Sequence, residues 1–151
     1  METLSYNDIL ALNNAIGEIY TARDMESFYR SVFSALPKIV PHQLTTFNDV
    51  EIYPPRILNG VHSSDEHHRI FKKLFHVFNE HCAEHPFASH FESEDVIETT
   101  DIVTLGKFKG LAIYNEYYRH VDIDTQIVMP FEGSGERRTL LALSRKGTDF
   151  S

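Results

Sequence analysis

The sequence predicts an α+β fold, with a mostly antiparallel sheet and helices packed against it. Helix-like and strand-like patterns come in runs along the chain, and not in the strict strand–helix alternation that is typical of a parallel sheet. The segment 70–78 has the strongest amphipathic pattern of the chain, which indicates a helix with one buried face. Residues 125–145 contain two strand-like stretches around a turn rich in glycine, the pattern of a β-hairpin.

Length and composition fit one domain that spans residues 1–151. Hydrophobic residues make up 42% of the chain, which is enough for a core. The formal net charge is −8 and the basic residues are scattered, so we expect no direct binding of nucleic acid, because phosphate backbones require clustered Lys and Arg. No apolar run approaches the roughly 18–20 residues of a membrane helix, and we expect no membrane partner.

The N-terminal residues and the cysteine content predict a cytoplasmic location. Residues 1–7 are polar and include Glu2, which is unlike a signal peptide. Cys82 is the only cysteine, so the fold does not depend on an internal disulfide.

Two amphipathic helices are predicted in the first 40 residues. Ser5 and Asp8 form a capping box at the start of the first helix, and Asp24 is a good N-cap for the second. We expect the second helix to end near Leu36, because Pro37 removes a backbone donor. Apolar residues recur on one face of the first helix, and its opposite face is polar, with little sign of a large apolar interface. The apolar residues are Ile9, Leu12, Ile16 and Ile19.

The middle of the chain predicts a hairpin followed by a helix. Residues 43–50 and 57–62 favour strands, with a turn at residues 53–55 between them. Ser63 and Glu66 are spaced as a capping box for the third helix. The buried face of that helix is predicted at Ile70, Phe71, Leu74, Phe75 and Phe78.

The second half of the chain predicts an irregular segment, a fourth helix and a hairpin. We expect residues 87–100 to be irregular, with a short strand at 96–97, because His85 precedes a proline that ends the third helix. A fourth helical segment is predicted over residues 107–119. The C-terminal strands are predicted at 125–131 and 139–145, with a turn at 132–136. The buried face of the fourth helix is predicted at Phe108, Leu111, Tyr114 or Asn115, and Tyr118.

Few residues point to catalysis or metal binding. No GxSxG, P-loop, HExxH or GxGxxG pattern is present, so we expect no enzyme. His81, Cys82 and His85 form the tightest group of metal-ligating residues, but no second pair of ligands stands at a suitable spacing, and we expect no metal site. Tyr114, Tyr117 and Tyr118 cannot all face the core of one regular helix, so part of this set must reach solvent, a pocket or a partner.

Several stretches resemble a known family. Residues 111–119 (LAIYNEYYR) resemble its L-x-LYNEFYR signature, and residues 85–91 resemble its HP loop. Residues 124–127 (DTQI) fit its (V/I)-x-D-Q step into a strand, and residues 149–151 match its DFS end. The family is the GAF-like N-terminal domain of LuxR-type helix-turn-helix transcriptional regulators. The family's helix-turn-helix output domain would lie outside these 151 residues.

The resemblance implies a GAF-like sensor domain that is regulated by a bound small molecule or by dimerisation. We therefore expect a non-catalytic domain that binds a small molecule, controls a LuxR-type regulator and forms a homodimer. The pocket is expected between the sheet and the third and fourth helical segments, with the polar segment 87–107 as a lid and Gln126 as a polar anchor. The predicted lining residues are Phe91, Phe108, Tyr114, Tyr118 and Gln126. The sequence identifies neither the ligand nor a cofactor.

Two alternatives to a ligand-binding domain stay open. The first is a dimerisation module without a ligand. The second is a redox or metal sensor that uses Cys82 with His81 and His85, which requires a thiol with a lowered pKa or a shared ion.

Overall fold

A computed structural model describes residues 3–147 and residue 150. Contacts divide the chain into two compact units, Met1–Gln43 and Leu44–Ser151, which are described separately here. One domain over all 151 residues stays a prediction. Within the described residues, no helix combines the length and the hydrophobicity needed to cross a membrane.

The first unit contains two capped helices, α1 (Tyr6–Tyr20) and α2 (Met25–Ala35). The Ser5 hydroxyl accepts from the Asp8 N–H in the predicted capping box, and Asp24 caps α2 in the same way. A short 3₁₀ turn follows at Leu36–Lys38, so α2 ends where its proline predicted.

The apolar face of α1 is exposed. Ile9, Leu12 and Ile16 are 46%, 39% and 43% accessible to solvent, and Ala15 is the buried residue of this helix. The amphipathic pattern therefore predicted the helix correctly, but these side chains are not in a core. Exposed apolar side chains continue on both sides of this face at Leu4, Tyr6, Leu10, Tyr20 and Met25.

The second unit is built on a five-stranded antiparallel sheet, which confirms the predicted fold class. The strands are β1 (Leu44–Glu51), β2 (Arg56–His62), β3 (Ile97–Glu98), β4 (Thr125–Ser134) and β5 (Arg137–Arg145). The strand order is β2-β1-β5-β4-β3, and every neighbouring pair runs antiparallel. Both predicted hairpins, β1–β2 and β4–β5, are present.

The third helix, α3 (Asp65–His81), is present, but the prediction of its cap was wrong by one residue. Ser64 is the N-cap, and its hydroxyl accepts from the His67 N–H. The hydroxyl of Ser63 accepts instead from the Thr45 N–H on β1. Two adjacent serines can both cap a helix on sequence grounds, and the bond to β1 decides between them.

The predicted fourth helix, residues 107–119, is broken into pieces. A short helix, α4 (Thr99–Ile102), lies before this region. The first piece of the region is a second short helix, α5 (Leu105–Lys109). Residues 112–121 are helical, but Tyr114–Tyr118 form a π turn, followed by α6 (Arg119–Val121). In the π turn the Arg119 N–H donates to the Tyr114 carbonyl, five residues earlier.

The π turn changes which side chains are buried. The adjacent residues Tyr117 and Tyr118 are both buried, whereas Tyr114 is half-buried. Regular helical spacing predicted only Tyr118 and Tyr114 or Asn115 on the inner face. The extra residue per turn places neighbouring side chains on one side of the helix, so two tyrosines reach the core together.

The C-terminal hairpin is longer than predicted. β4 continues to Ser134 and β5 starts at Arg137, so most of the predicted loop 132–136 is strand. Gly135 has a φ of +62°, which a glycine adopts readily in a tight turn. Of the predicted DFS end, Phe150 is described, while Asp149 and Ser151 lie outside the described residues.

The core of the second unit lies between the sheet and the helical segments 65–121. Its aromatic side chains come from α3, the irregular segment and the π turn. Although we expected residues 87–100 to be polar and irregular, Phe87, Ala88 and Phe91 are buried. The buried aromatic side chains of this core are Phe71, Phe78, Phe87, Phe91, Phe108, Tyr117 and Tyr118.

Candidate functional site

Two small cavities lie side by side between the sheet and the helical segments of the second unit. The first cavity and the second cavity each have a volume of about 30 Å³. They are separated by side chains that line both, so they are neighbouring compartments of one interior. The shared side chains are Asn48, Ile57, Phe78, Tyr118 and Gln126.

Polar side chains without partners face the first cavity. Among the described residues, no hydrogen bond joins the side chain of Thr46, Asn48 or Tyr117 to another group. Thr46 and Tyr117 are only 4% and 6% exposed. No inaccessible polar side-chain atom of the described residues lacks a partner, so these three groups face space that a water molecule can reach. They are therefore hydrogen-bonding groups that have no partner among the described residues.

The second cavity is lined by a satisfied chain of hydrogen bonds. The Phe87 N–H donates to Nδ1 of His85 over 3.1 Å, so the imidazole proton is on Nε2, which donates to the Tyr118 hydroxyl over 2.8 Å. The Gln126 side chain is the next partner of Tyr118, and its Nε2 donates to the Ser144 hydroxyl over 2.9 Å. The backbone N–H thus fixes the tautomer of His85.

The walls of both cavities contain no Asp, Glu, Lys or Arg. Burial lowers the pKa of His62 to about 4 and that of His85 to about 3, so both imidazoles are neutral. Burial also raises the pKa of Tyr117 and of Tyr118 well above the ordinary value of a phenol.

His62 and His67 line the first cavity, and His68 lies beside His62. Nδ1 of His62 is 3.0 Å from Nδ1 of His68, a distance at which one ring donates to the other. His67 donates through Nε2 to the Val121 carbonyl over 3.1 Å and interacts through Nδ1 with the Ser64 hydroxyl over 2.9 Å. His67 therefore ties the start of α3 to the end of α6.

The irregular segment covers the second cavity. Phe87 and Phe91 line this cavity from the side opposite the sheet strand β5. Arg138 on β5 holds the segment in place, because its guanidinium donates to the Phe91 and Ser93 carbonyls over 3.1 and 2.7 Å and forms an ion pair with Glu94. The position agrees with the predicted lid, but its movement stays a prediction.

The structure brings three of the five predicted lining residues to the cavities. Tyr118 and Gln126 line both cavities, and Phe91 lines the second. Phe108 is 1% exposed and packs between the rings of Tyr114 and Tyr118, so it is a core residue without a wall position in either cavity. Tyr114 points away from the cavities, and its hydroxyl donates to Asp124 over 2.7 Å. Ligand binding by any of the five stays a prediction.

The alternative group around Cys82 does not converge. Cys82 is fully buried, and burial raises the pKa of its thiol to about 12, the opposite of a reactive cysteine. His85 is directed at Tyr118, whereas Nδ1 of His81 lies 3.8 Å from Glu84. In the described part of the chain, no group of three or more His, Cys, Asp or Glu is placed to hold a metal ion.

Sequence reasoning missed the residues that face the first cavity from the sheet. Thr46 and Asn48 alternate with Leu44 and Val50 on the helix-facing side of β1, since all four line the two cavities. The sequence did contain a signal for them, because polar side chains on an otherwise apolar strand face indicate a cavity or a polar partner. Tyr117 belonged to the tyrosine set noted in the sequence, but regular helical spacing gave no reason to place it in the core beside Tyr118, where the π turn puts it.

Comparison with known proteins identifies the fold. No protein-family model matches the chain, and no curated protein matches it. The crystal structure of the VqsR LBD domain from Pseudomonas aeruginosa matches with a TM-score of 0.68 and 18% identity, over 91% of this chain and 82% of that chain. The crystal structure of CepR2 from Burkholderia cenocepacia, an N-acylhomoserine lactone dependent LuxR family transcription factor, matches with a TM-score of 0.64 and 12% identity, over 97% of this chain and 83% of that chain. The α+β fold is therefore one found in ligand-binding domains of LuxR-type regulators, while the GAF-like name stays a prediction.

Proposed function

We propose that this chain is a non-catalytic sensor domain that binds a small uncharged molecule in the first cavity and controls a LuxR-type transcriptional regulator. One observation carries the proposal: three buried or half-buried polar side chains, Thr46, Asn48 and Tyr117, converge on one cavity without partners. The fold shared with the LBD domain of VqsR and with CepR2 supports the regulatory role.

The unpartnered polar groups favour a binding role because they are available to a ligand. No inaccessible polar side-chain atom of the described residues lacks a partner, so these hydroxyl and amide groups are within reach of water. Elsewhere in the described interior the polar side chains are paired within the chain, as in the chain from His85 to Ser144. A ligand that donates to or accepts from Thr46, Asn48 and Tyr117 would replace water at these groups, so the arrangement is suited to recognition.

Walls that contain no Asp, Glu, Lys or Arg favour an uncharged ligand. A charged group in this interior would lose its hydration and find no opposite charge among the lining residues. Hydroxyl and amide groups instead match carbonyl, hydroxyl or amide groups of the ligand, and the apolar walls match hydrocarbon. Leu44, Phe71 and Val121 supply such walls in the first cavity.

A ligand of ordinary size requires the two cavities to merge. Sites for drug-sized molecules have volumes of roughly 300–1,000 Å³, and each cavity has about 30 Å³. Phe78 and Tyr118 stand between the compartments, and the segment held by Arg138 covers the second one. We propose that rotation of these rings and displacement of that segment admit the larger ligand.

The site is unsuited to common hydrolytic or acid–base chemistry. The lining residues of both cavities include neither a carboxylate nor a cysteine or serine nucleophile. His85 is committed to Tyr118 and the Phe87 backbone, which leaves no free nitrogen for proton transfer. These features support a binding domain.

A thermal-shift experiment with one matched pair of variants tests the binding site. Uncharged amphipathic compounds, starting with N-acylhomoserine lactones because CepR2 depends on them, are added to the chain. We expect a bound compound to raise the melting temperature of the wild type and of Asn59→Leu, because Asn59 is exposed on β2. Asn48→Leu should lose the response. An equal response in Asn48→Leu and Asn59→Leu contradicts the site.

A second candidate function, pairing of two copies, is favoured by the exposed face of α1. Ile9, Leu10 and Ile16 are 46%, 46% and 43% exposed on one short helix, and contiguous apolar patches of this kind mark interaction surfaces. We propose a cytoplasmic homodimer that uses this face. Sedimentation velocity should show a dimer for the wild type and a monomer for Ile9→Glu/Ile16→Glu, and a wild-type monomer at all concentrations contradicts the pairing.

A further inference from the structure

The carboxylate of Asp124 clasps the chain segment that follows the sheet. Its Oδ1 accepts from the Tyr114 hydroxyl over 2.7 Å, and its Oδ2 accepts from the Gly147 N–H over 2.8 Å. Lys109 lies 3.6 Å from the same carboxylate. Asp124 is 6% exposed, so these bonds form away from solvent competition. One buried carboxylate therefore joins the π turn to the residue that leaves the sheet.

The segment after β5 is held at a second point. Gly147 has a φ of +91°, a conformation that glycine adopts without strain and that turns the chain after β5. The Phe150 N–H donates to Glu98 over 2.7 Å, and its ring lies 4.7 Å from the Arg145 guanidinium. Among the described residues after β5, Lys146 pairs with Asp122 over 2.9 Å, Gly147 is held by the Asp124 clasp, and Phe150 contacts Glu98 and Arg145.

The π turn connects this clasp to the cavities. Tyr114 begins the turn and Tyr118 ends it, and Tyr118 lines both cavities. The ring of Phe108 lies 5.3 Å from that of Tyr114 and 5.4 Å from that of Tyr118, so the three rings pack in series. Tyr117, whose hydroxyl faces the first cavity, is in edge contact with Tyr118 at 5.1 Å. Tyr118 is thus connected to Tyr114 through the ring of Phe108, and Tyr117 is connected to it through Tyr118.

A π turn is suited to switching because it contains one residue more per turn than an α-helix. Conversion to α-helical bonding rotates the side chains on one side of the inserted residue relative to those on the other. Close-packed side chains do not shift gradually when a helix rotates; they change from one discrete packing arrangement to another. In this chain the conversion would move Tyr114 relative to Tyr117 and Tyr118, and the hydroxyl of Tyr114 has Asp124 as its partner.

We propose that occupancy of the first cavity is transmitted through the π turn to the chain at Gly147, just after β5, by withdrawal of the Tyr114 hydroxyl from Asp124. This inference rests on the proposed binding site, whose own test is the response of Asn48→Leu. It adds the route by which a signal leaves that site. The route runs from Tyr117 and Tyr118 through Phe108 to Tyr114, and from there through Asp124 to Gly147.

Hydrogen exchange of the Gly147 amide in the full chain tests the route without a ligand. Thr46→Leu fills the first cavity from the sheet side, and Thr46→Ile, a filler of the same size that keeps the β-branch of threonine, is the second variant in case the first does not fold. Thr139→Leu places the same side chain on the opposite sheet face as the control, where Thr139 bonds to Asp49. Tyr114→Phe removes the clasp hydroxyl alone. Loss of one hydrogen bond corresponds to an exchange increase of about fivefold to tenfold.

We expect Tyr114→Phe and each folded Thr46 variant to raise the hydrogen-exchange rate of the Gly147 amide about fivefold to tenfold. Thr139→Leu should leave this rate unchanged. The double variant should exchange no faster than Tyr114→Phe, because both changes break the same contact. Wild-type exchange in the Thr46 fillers, with an increase in Tyr114→Phe, overturns the route and leaves the binding site untouched. Wild-type exchange in Tyr114→Phe overturns the clasp itself.

Discussion

The two cavities share five wall residues but differ in how their polar groups are satisfied. In the second cavity, hydrogen bonds join His85, Tyr118 and Gln126 in series, and Gln126 also donates to Ser144. In the first, the side chains of Thr46 and Tyr117 lack partners among the described residues, although both are more than nine-tenths buried. The paired and the unpartnered side chains are similarly buried, so the exposed fraction of each side chain does not explain why one set is hydrogen-bonded and the other is not.

The contrast separates a structural polar network from a recognition surface. A satisfied network stabilises one arrangement and costs energy when any member is removed. Polar groups that have no partner in the chain contribute no such bond, so their removal costs little. We therefore expect different effects on stability from substitutions that are chemically alike and only a few ångströms apart.

The largest effect is expected from pH, and it concerns the satisfied chain. The pKa of His85 is about 3 in the folded chain, and an unfolded histidine titrates near 6.5. Below pH 6.5 the unfolded chain takes up a proton that the folded chain refuses. Stability is therefore complete above pH 6.5 and falls as the pH drops, by about 2.5 kcal/mol at pH 4.5 from this group alone. Urea unfolding at pH 7 and pH 4.5 measures the difference.

Replacement of His85 by glutamine provides the control for the pH effect. His85→Gln keeps a polar side chain near Tyr118 and cannot titrate. Its loss of stability between pH 7 and pH 4.5 should be smaller than that of the wild type by about 2.5 kcal/mol. His62, whose pKa is about 4, should keep part of the acid sensitivity in this variant. Equal pH slopes in the two proteins would show that His85 is not held neutral by the fold.

The next effect compares the same substitution at adjacent residues. Tyr118→Phe removes a hydroxyl that His85 and Gln126 use, and it should lower the free energy of unfolding by about 1–3 kcal/mol. Tyr117→Phe removes a hydroxyl without a partner and should leave the free energy of unfolding unchanged or raise it. Chemical denaturation of both variants measures the difference. Equal losses would remove the distinction between the two cavities.

The smallest effect is expected at the sheet side of the first cavity. Thr46→Val is nearly isosteric and removes the free hydroxyl, so it should stabilise the fold by up to about 1 kcal/mol. Thr45→Val provides the matched control, because Thr45 is equally buried but points to the other face of β1. The melting temperature of each variant measures the effect. A clear destabilisation by Thr46→Val would mean that its hydroxyl is satisfied in the folded chain.

The elements with local signals were predictable from the sequence. Capping residues such as Ser5 and Asp24 and the breaker Pro37 act within one turn of the chain, so their effects on α1 and α2 can be read directly. The alternation of β1 and the glycine-containing turn at Gly135 are local in the same sense. The fold class followed from the order of these elements.

The rest depends on contacts between distant residues. The choice of Ser64 over Ser63 as the cap of α3 depends on a bond from Thr45, and the π turn depends on packing of Tyr117 and Tyr118 against α3. Regular helical spacing, which contains no π turn, predicted Tyr114 or Asn115 on the buried face together with Tyr118 and did not include Tyr117. Apolar periodicity likewise predicted α1 but carried no information on the partner of its exposed face.

Native mass spectrometry of the purified chain, compared with the same sample after denaturation, tests whether the first cavity holds a ligand. We expect a bound mass of a few hundred daltons or less that is lost on denaturation, in the wild type but not in Thr46→Val/Asn48→Leu/Tyr117→Phe prepared in the same way. A wild-type chain that stays at its sequence mass after incubation with a metabolite extract would contradict the binding site. Equal retention of the bound mass by the triple variant would also contradict it.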